Sequence, residues 1–168
     1  MRFKVRNFID RKSELDMLYS YAKTGGKVLI KGRRGIGKSV LALKLLEELE
    51  KEGIRGVYIN CLTVTSGRDL LRQLADELRI NIEPRGVSSR EAIDVFFRII
   101  SERNIKVVVF DEFTNLFRVL GRKKDFGSIT NFAAVIRGYI MDSKASIIAT
   151  SSGLAETRHL IRRARILG

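Results

Sequence analysis

A glycine-rich octapeptide at residues 32–39, which reads Gly-Arg-Arg-Gly-Ile-Gly-Lys-Ser, constrains the fold more than any other feature of the sequence. A short apolar run with charged ends, Lys27 to Lys31, precedes it and is typical of a buried strand. The segment that follows carries leucines at the spacing of one helical face, namely Leu41, Leu45, Leu46 and Leu49. The sequence therefore predicts a strand, a tight loop and a helix in direct succession.

This octapeptide matches the pattern GxxxxGK[ST], in the strand-loop-helix context that the pattern requires. Glycine lets backbone N–H groups turn inward around a phosphate, and the dipole of the following helix favours the same anion. We expect Lys38 to reach the β and γ oxygens of a nucleotide and Ser39 to ligate Mg²⁺. Arg33 and Arg34 either contact phosphate or project into solvent. The predicted nucleotide-binding residues of this loop are Gly32, Arg33, Arg34, Gly35, Ile36, Gly37, Lys38, Ser39 and Val40.

Apolar patterning along the rest of the chain predicts strands that alternate with helices. Predicted strands lie at about 27–31, 56–61, 107–110 and 146–150, and helices at about 12–23, 38–52, 66–80, 88–100, 114–120 and 129–140. This alternation favours an α/β fold with a mostly parallel sheet and helices on both faces, in three layers. With no linker or repeat visible, residues 1–168 are interpreted as one core domain.

Composition excludes several other classes of protein. The chain of 168 residues has one proline and is 45% hydrophobic, which argues against collagen-like and disordered chains. Cys61 is the only cysteine, so no intramolecular disulfide forms within the chain. The apolar runs are too short to cross a bilayer, and the N-terminus lacks a secretory apolar core. We therefore expect a cytoplasmic protein without a membrane partner.

Two carboxylates end the third predicted strand, in the sequence Val107-Val108-Val109-Phe110-Asp111-Glu112. Ligands of open α/β sheets bind at the carboxyl edge of the strands, where both carboxylates would emerge. Asp111 is therefore predicted to hold Mg²⁺, and Glu112 to polarise the water that attacks a γ-phosphate. Without the octapeptide, an ordinary acidic turn after a strand would be the better explanation of this pair.

Three hydroxyl residues, Thr150, Ser151 and Ser152, end the fourth predicted strand. A hydroxyl there is placed to sense the γ-phosphate or the attacking water. Ser151 is the first choice for this catalytic role and Thr150 the second. The alternative is that they only cap a helix that begins near Leu154.

These residues together resemble the archaeal ATPase family within the AAA+ and STAND-like P-loop proteins, whose nucleotide domain is similar to that of the origin-recognition ATPases. The segment Phe8 to Leu15, FIDRKSEL, is similar to the family's N-terminal F-x-x-R-x-x-E-L signature, and Tyr58 to Cys61 is similar to its second strand. The resemblance implies ATP as nucleotide and strand order 5-1-4-3-2. It also implies that Phe8, Ile9 and Arg11 flank the nucleotide. A helix start capped by Asp10 or Ser13 is the alternative for this segment.

The family continues into a fifth strand and a helical lid, and we expect both to be missing from this sequence. The family's arginine that acts in trans, supplied by a second copy, is not identified by the motifs. The candidates are Arg118, Arg122, Arg137, Arg158, Arg162 and Arg163. For Arg137, which lies in a mostly apolar helical pattern, a structural salt bridge is expected instead.

Three functions fit the sequence. The leading one is Mg²⁺-dependent ATP hydrolysis, weak in this core alone, that drives or gates a C-terminal effector. The second is a nucleic-acid-associated module in which nucleotide is structural or regulatory, suggested by the net charge of +13 and the basic stretches 118–124 and 158–165. The third is a nucleotide-gated switch with slow turnover.

Overall fold

The structure is a computed structural model that describes residues 2–5 and 10–152. Its helices are α1 (Lys12–Lys23), α2 (Lys38–Lys51), α3 (Gly67–Leu78), α4 (Ser89–Glu102), α5 (Thr114–Val119) and α6 (Ile129–Asp142). Its strands are β1 (Lys27–Lys31), β2 (Gly56–Asn60), β3 (Val107–Asp111) and β4 (Ser146–Ser151), with a short 3-10 helix at Cys61–Thr63. The predicted helix after residue 154 lies outside the described residues.

The strands of the described region form one parallel sheet in the order β1-β4-β3-β2. This is the order expected for these strands from the resemblance, and no fifth strand occurs in residues 2–5 and 10–152. Helices α1 and α2 cover one face, where they pack on Val107, Val109 and Ile148. Helices α3 to α6 cover the other face, where they pack on Val108, Phe110 and Ile147. The three-layer α/β prediction is confirmed.

Local capping explains where several helices begin. Ser88 accepts a hydrogen bond from the backbone N–H of Glu91, and the Glu91 carboxylate accepts one from the Ser88 N–H, which completes the predicted capping box. Ser66 and Ser128 cap α3 and α6, because their side chains accept hydrogen bonds from the backbone N–H groups of Asp69 and Asn131. Strand ends differ slightly from prediction, because Cys61 leaves β2 for the 3-10 helix and β3 extends to Asp111.

Side chains of α3 cover the outer edge of β2. The backbone N–H groups of Tyr58 and Asn60 donate to the side chains of Glu77 and Gln73, both at 2.8 Å. The Arg2 guanidinium donates to the carbonyl of Gly56 on the same strand. Burial raises the pKa of Glu77. The edge strand is therefore hydrogen-bonded on both sides, although only one strand of the described region, β3, lies beside it.

A chain of aromatic contacts fills the core beneath α4 to α6. Phe117 makes edge-to-face contacts with Phe113 and Phe132, with ring centroids 5.3 and 5.2 Å apart. Cys61 is fully buried in the same core, and desolvation raises the pKa of its thiol. In the described residues no helix combines the length and apolar character needed to cross a bilayer.

We predict that Phe117→Ala lowers the free energy of unfolding by about 3–5 kcal/mol, because a fully buried ring is replaced by a cavity. Urea unfolding followed by circular dichroism measures this change. Met141→Ala is the matched control, since Met141 is 57% exposed, and its change is expected to stay within about 0.5 kcal/mol. Equal losses in the two variants would contradict the assigned core.

Candidate active site

The polar residues singled out in the sequence converge at the carboxyl edge of the sheet. The loop at residues 32–37 connects β1 to α2, and its first backbone N–H, from Gly32, donates to the carbonyl of Ser151 at 3.2 Å. This bond fixes the start of the loop to β4, the strand next to β1. The loop therefore lies directly beside the ends of β3 and β4.

The turn of the loop depends on glycine at two positions. Gly35 and Gly37 have φ of +84° and +81°, values that residues with a Cβ rarely adopt. Gly37 is the N-cap of α2, so the first turn of this helix points its free N–H groups toward the loop. Such a helix start favours an anion.

Lys38 lies folded across the loop and is only 4% exposed. Its Nζ donates to the carbonyls of Gly32 and Arg33 at 2.9 and 2.8 Å, and to Ser152 Oγ at 3.0 Å. These three bonds use all three N–H donors of the Lys38 ammonium group. The buried charge is thus placed at the centre of the loop and is fully hydrogen-bonded.

The carboxylate of Asp111 is buried and accepts hydrogen bonds from three hydroxyl groups of the described residues. Ser39 Oγ lies 2.9 and 2.8 Å from its two oxygens, Tyr58 donates to Oδ2 at 2.6 Å, and Thr150 donates to Oδ1. Burial, and then the bond to Asp111, raises the pKa of Tyr58, which keeps its hydroxyl a donor. The predicted metal ligands Ser39 and Asp111 are therefore in direct contact.

The donor chemistry of Ser39 and Asp111 fits Mg²⁺. Mg²⁺ prefers hard oxygen ligands and commonly binds through one or two protein groups, with phosphate and water completing the octahedron. No cluster of three or more His, Cys, Asp or Glu that suits a metal occurs in the described part of the chain. A site made of one hydroxyl and one carboxylate is therefore suited to a cation that arrives with phosphate.

Glu112 has a strained backbone that aims its side chain along the end of β4. Its φ is +52°, in the left-handed region that few residues with a side chain occupy. Its N–H donates to Thr150 Oγ1 at 2.9 Å, which holds this conformation. Its carboxylate accepts from the N–H of Ser152 at 3.1 Å and from the Ser152 hydroxyl.

Ser152, the residue after the predicted Ser151, contacts both Lys38 and Glu112. Side chains alternate along a strand, so Ser151 belongs to the sheet face of Ile147 and Ala149, opposite to Thr150. The catalytic role assigned to Ser151 from the sequence stays a prediction. Thr150, the second choice, contacts both Asp111 and Glu112.

Arg11 is the described residue of the N-terminal signature that touches the loop. Its Nη1 donates to the carbonyl of Ile36 at 3.0 Å, and its guanidinium pairs with Glu14. Arg11 is itself the N-cap of α1 and makes no side-chain cap, so the alternative of a cap from Asp10 or Ser13 is wrong. The other two predicted nucleotide-flanking residues, Phe8 and Ile9, lie outside the described residues.

The arginine candidates among the described residues are exposed. Arg33 and Arg34 are exposed, which fits the interpretation that they project into solvent. Within residues 10–152 no ion pair involves Arg137, so the expected structural salt bridge is not found. Arg118, Arg122 and Arg137 are exposed, and Arg158, Arg162 and Arg163 lie outside the described residues.

Sequence comparison relates this chain to ATPase domains. The AAA domain family matches residues 22–148. The ORC1-type DNA replication protein 2 of Sulfurisphaera tokodaii is 34% identical over 105 residues, which cover 58% of this chain and 25% of that protein. An uncharacterized protein of Methanocaldococcus jannaschii is 26% identical over 150 residues, which cover 88% of this chain and 30% of that protein. The chain thus spans about a quarter of the length of these curated relatives.

Solved structures share the fold at low sequence identity. The ORC2 protein of Aeropyrum pernix, solved as ADPNP-ADP complexes, has a TM-score of 0.69 and 17% identity, covering 100% of this chain and 48% of that one. A Walker-type ATPase of Pyrococcus abyssi has a TM-score of 0.69 and 21% identity, covering 100% of this chain and 54% of that one. The resemblance to archaeal ATPases related to origin-recognition proteins is confirmed.

We predict that Thr150→Val lowers the free energy of unfolding by about 1–3 kcal/mol, because the Glu112 N–H and the Asp111 carboxylate each lose a buried partner. Thr24→Val is the matched control, because the Thr24 hydroxyl is exposed and water can solvate the α1 carbonyls of Ser20 and Tyr21 to which it donates. Chemical denaturation of both variants makes the comparison. An unchanged stability of Thr150→Val would mean that Thr150 does not hold the two acidic residues.

Proposed function

Because the chain belongs to the AAA domain family, we propose that it binds ATP with Mg²⁺ at residues 32–40 and hydrolyses the γ-phosphate slowly. The observation that supports this is the direct contact of Ser39 with Asp111, beside a buried Lys38 and the glycine turn. A hydroxyl, a carboxylate and an ammonium placed together at a helix start match the requirements of a triphosphate with its cation.

On this proposal the residues of the site divide the binding of nucleotide between them. The loop N–H groups and the start of α2 bind phosphate oxygens. Lys38 gives up its hydrogen bonds to the carbonyls of Gly32 and Arg33 and donates to phosphate oxygens instead. Ser39 and Asp111 hold the cation and its water. Mg²⁺, when bound, neutralises charge that develops on the phosphates.

Glu112 and Ser152 form the hydrolytic part of the proposal. Glu112 orients a water molecule and accepts its proton, because transfer of the γ-phosphate to water needs an oriented nucleophile. Ser152 contacts both Lys38 and the Glu112 carboxylate, so it takes the sensing role that the sequence assigned to Ser151. Movement of Lys38 onto phosphate therefore changes the hydrogen bonding of Glu112.

Fast turnover would need an arginine from a second copy of the chain, an effect of about 10³ or more in rate. The exposed arginines of the described residues, Arg118, Arg122 and Arg137, are the candidates. On this proposal the isolated core hydrolyses ATP weakly in the cytoplasm. The cycle gates an effector carried elsewhere in a longer protein, either by repeated hydrolysis or as a slow switch.

Two substitutions separate ATP binding from hydrolysis. Lys38→Ala is expected to weaken MgATP binding about tenfold or more, because a charge-assisted contact to phosphate is lost. Glu112→Gln is expected to keep the affinity and lower turnover about 10²-fold or more. Calorimetric titration and phosphate release measure the two effects.

The controls use the same residue types away from the site. Lys51→Ala, at the end of α2, and Glu102→Gln, at the end of α4, are expected to leave both quantities unchanged. Equal MgATP affinity of Lys38→Ala and the unaltered chain would overturn the binding proposal. Unchanged turnover of Glu112→Gln would overturn its role in hydrolysis alone.

A second candidate function is sequence-independent binding of nucleic acid, with the nucleotide acting as a structural or regulatory ligand. It is supported by an exposed basic stretch at the end of α5 and just after it, formed by Arg118, Arg122, Lys123 and Lys124, and by a net charge of +13. The similar Sulfurisphaera protein is called a DNA replication protein. Phosphate backbones attract such surfaces without reading bases.

If this candidate holds, duplex DNA binding falls steeply with salt. Replacing Arg122, Lys123 and Lys124 by glutamine then reduces the slope of log affinity against log salt by about 2.7, since three phosphate contacts disappear. The control replaces Lys23 and Lys51, which pair with Glu52 and Glu48, and keeps the slope. Fluorescence anisotropy measures the slopes, and a flat salt response of the unaltered chain would reject the candidate.

A further inference from the structure

We propose that Tyr58 is a positioning residue, whose hydroxyl fixes the Asp111 carboxylate for a divalent cation bound with nucleotide. Tyr58 lies in β2, far along the sequence from the loop at residues 32–39. Its hydroxyl nevertheless donates to Asp111 Oδ2 at 2.6 Å. This distance is shorter than the 2.8 Å between Ser39 Oγ and the same oxygen. The inference rests on the proposed binding of nucleotide and names a further residue of the same site.

The hydrogen bonds of Asp111 are divided between its two oxygens. Oδ1 accepts from Thr150 of β4, and Oδ2 accepts from Tyr58 of β2, while Ser39 contacts both oxygens. When Ser39 turns to serve as a metal ligand, one donor remains on each oxygen. These donors come from the strands on either side of β3, so together they fix the rotation of the carboxylate.

The register of the sheet explains why a tyrosine is suited to this task. Tyr58 is paired with Val109, and Asp111 lies two residues further along β3 on the same face. That separation is about 7 Å along a strand, which a phenol spans while its ring packs against the α1–α2 side of the core. A serine or threonine at position 58 would be too short.

The backbone of Tyr58 is itself held in place. Its N–H donates to Glu77 Oε2 at 2.8 Å, which ties this point of β2 to α3. The aromatic ring has few rotamers, and Tyr58 is half-buried. Tyr58 therefore presents a donor in one place rather than a mobile polar group.

Loss of the Tyr58 hydroxyl is expected to weaken the binding of the cation with ATP, and to leave the binding of ATP without a cation unchanged. Without the Tyr58 hydroxyl, the carboxylate has to be ordered when the cation binds, and this lowers the gain in ATP affinity that Mg²⁺ provides. The contacts of phosphate with Lys38 and the loop N–H groups do not involve Tyr58. ATP affinity measured in EDTA should therefore be unchanged.

Tyr58→Phe tests this directly, because it removes one oxygen and keeps the ring. The measured quantity is the ratio of ATP affinities with Mg²⁺ and with EDTA, obtained by calorimetric titration. We expect this ratio to fall about tenfold, as for loss of a hydrogen bond to a charged group. Electron paramagnetic resonance of Mn²⁺ with a non-hydrolysable ATP analogue should give a matching loss of cation affinity.

Two further variants complete the experiment. Tyr139→Phe is the matched control, since its hydroxyl donates to Asp94 at 2.9 Å on the other face of the sheet, and its ratio should equal that of the unaltered chain. Tyr58→Leu also fills the position with apolar atoms and should reproduce the loss. It provides the measurement if the phenylalanine variant does not fold.

The outcomes distinguish this inference from the proposed function. An unaltered chain that binds no ATP, with or without Mg²⁺, overturns both. ATP binding strengthened by Mg²⁺ to the same extent in the unaltered chain and in Tyr58→Phe overturns only the role of Tyr58. A uniform loss of affinity in EDTA and in Mg²⁺ also overturns it, because a merely structural role would act on both.

Discussion

A buried carboxylate at the end of the central strand β3 is the constraint on which the candidate site depends. Taking an ionised group out of water costs free energy unless hydrogen bonds replace its hydration. For Asp111 the replacements come from α2, β2 and β4, through Ser39, Tyr58 and Thr150. One charge thereby fixes the relative positions of the loop helix and of two strands that are distant in sequence.

The same edge of the sheet carries strain that neighbouring hydroxyls offset. Glu112 takes a left-handed backbone conformation immediately after β3, and Thr150 and Ser152 hold its N–H and its carboxylate. Lys38 shares Ser152 with Glu112. Charge, strain and hydrogen bonding are thus combined within a few residues, as is common where a fold is adapted to a ligand rather than to stability.

Much of this arrangement follows from local sequence. The glycines of residues 32–37, the apolar run before Asp111 and the serines that start helices act through neighbours in the chain, so the strands, the helices and the loop were predictable. Contacts across the sheet were not. The contact of Tyr58 with Asp111 depends on the register of β2 against β3, and the contacts of Ser152 with Lys38 and Glu112 depend on how the chain leaves β4. Arg137 was expected to form a structural salt bridge, but among the described residues it is exposed and forms no ion pair.

The covered outer edge of β2 has a consequence for association between molecules. A strand with free N–H groups invites a strand from another chain, and such pairing is a common route to aggregation. In β2 the outward N–H groups of Tyr58 and Asn60 are already satisfied by Glu77 and Gln73. An incoming strand would have to displace a carboxylate and an amide from a helix of the same molecule, so this side of the sheet resists intermolecular β-pairing.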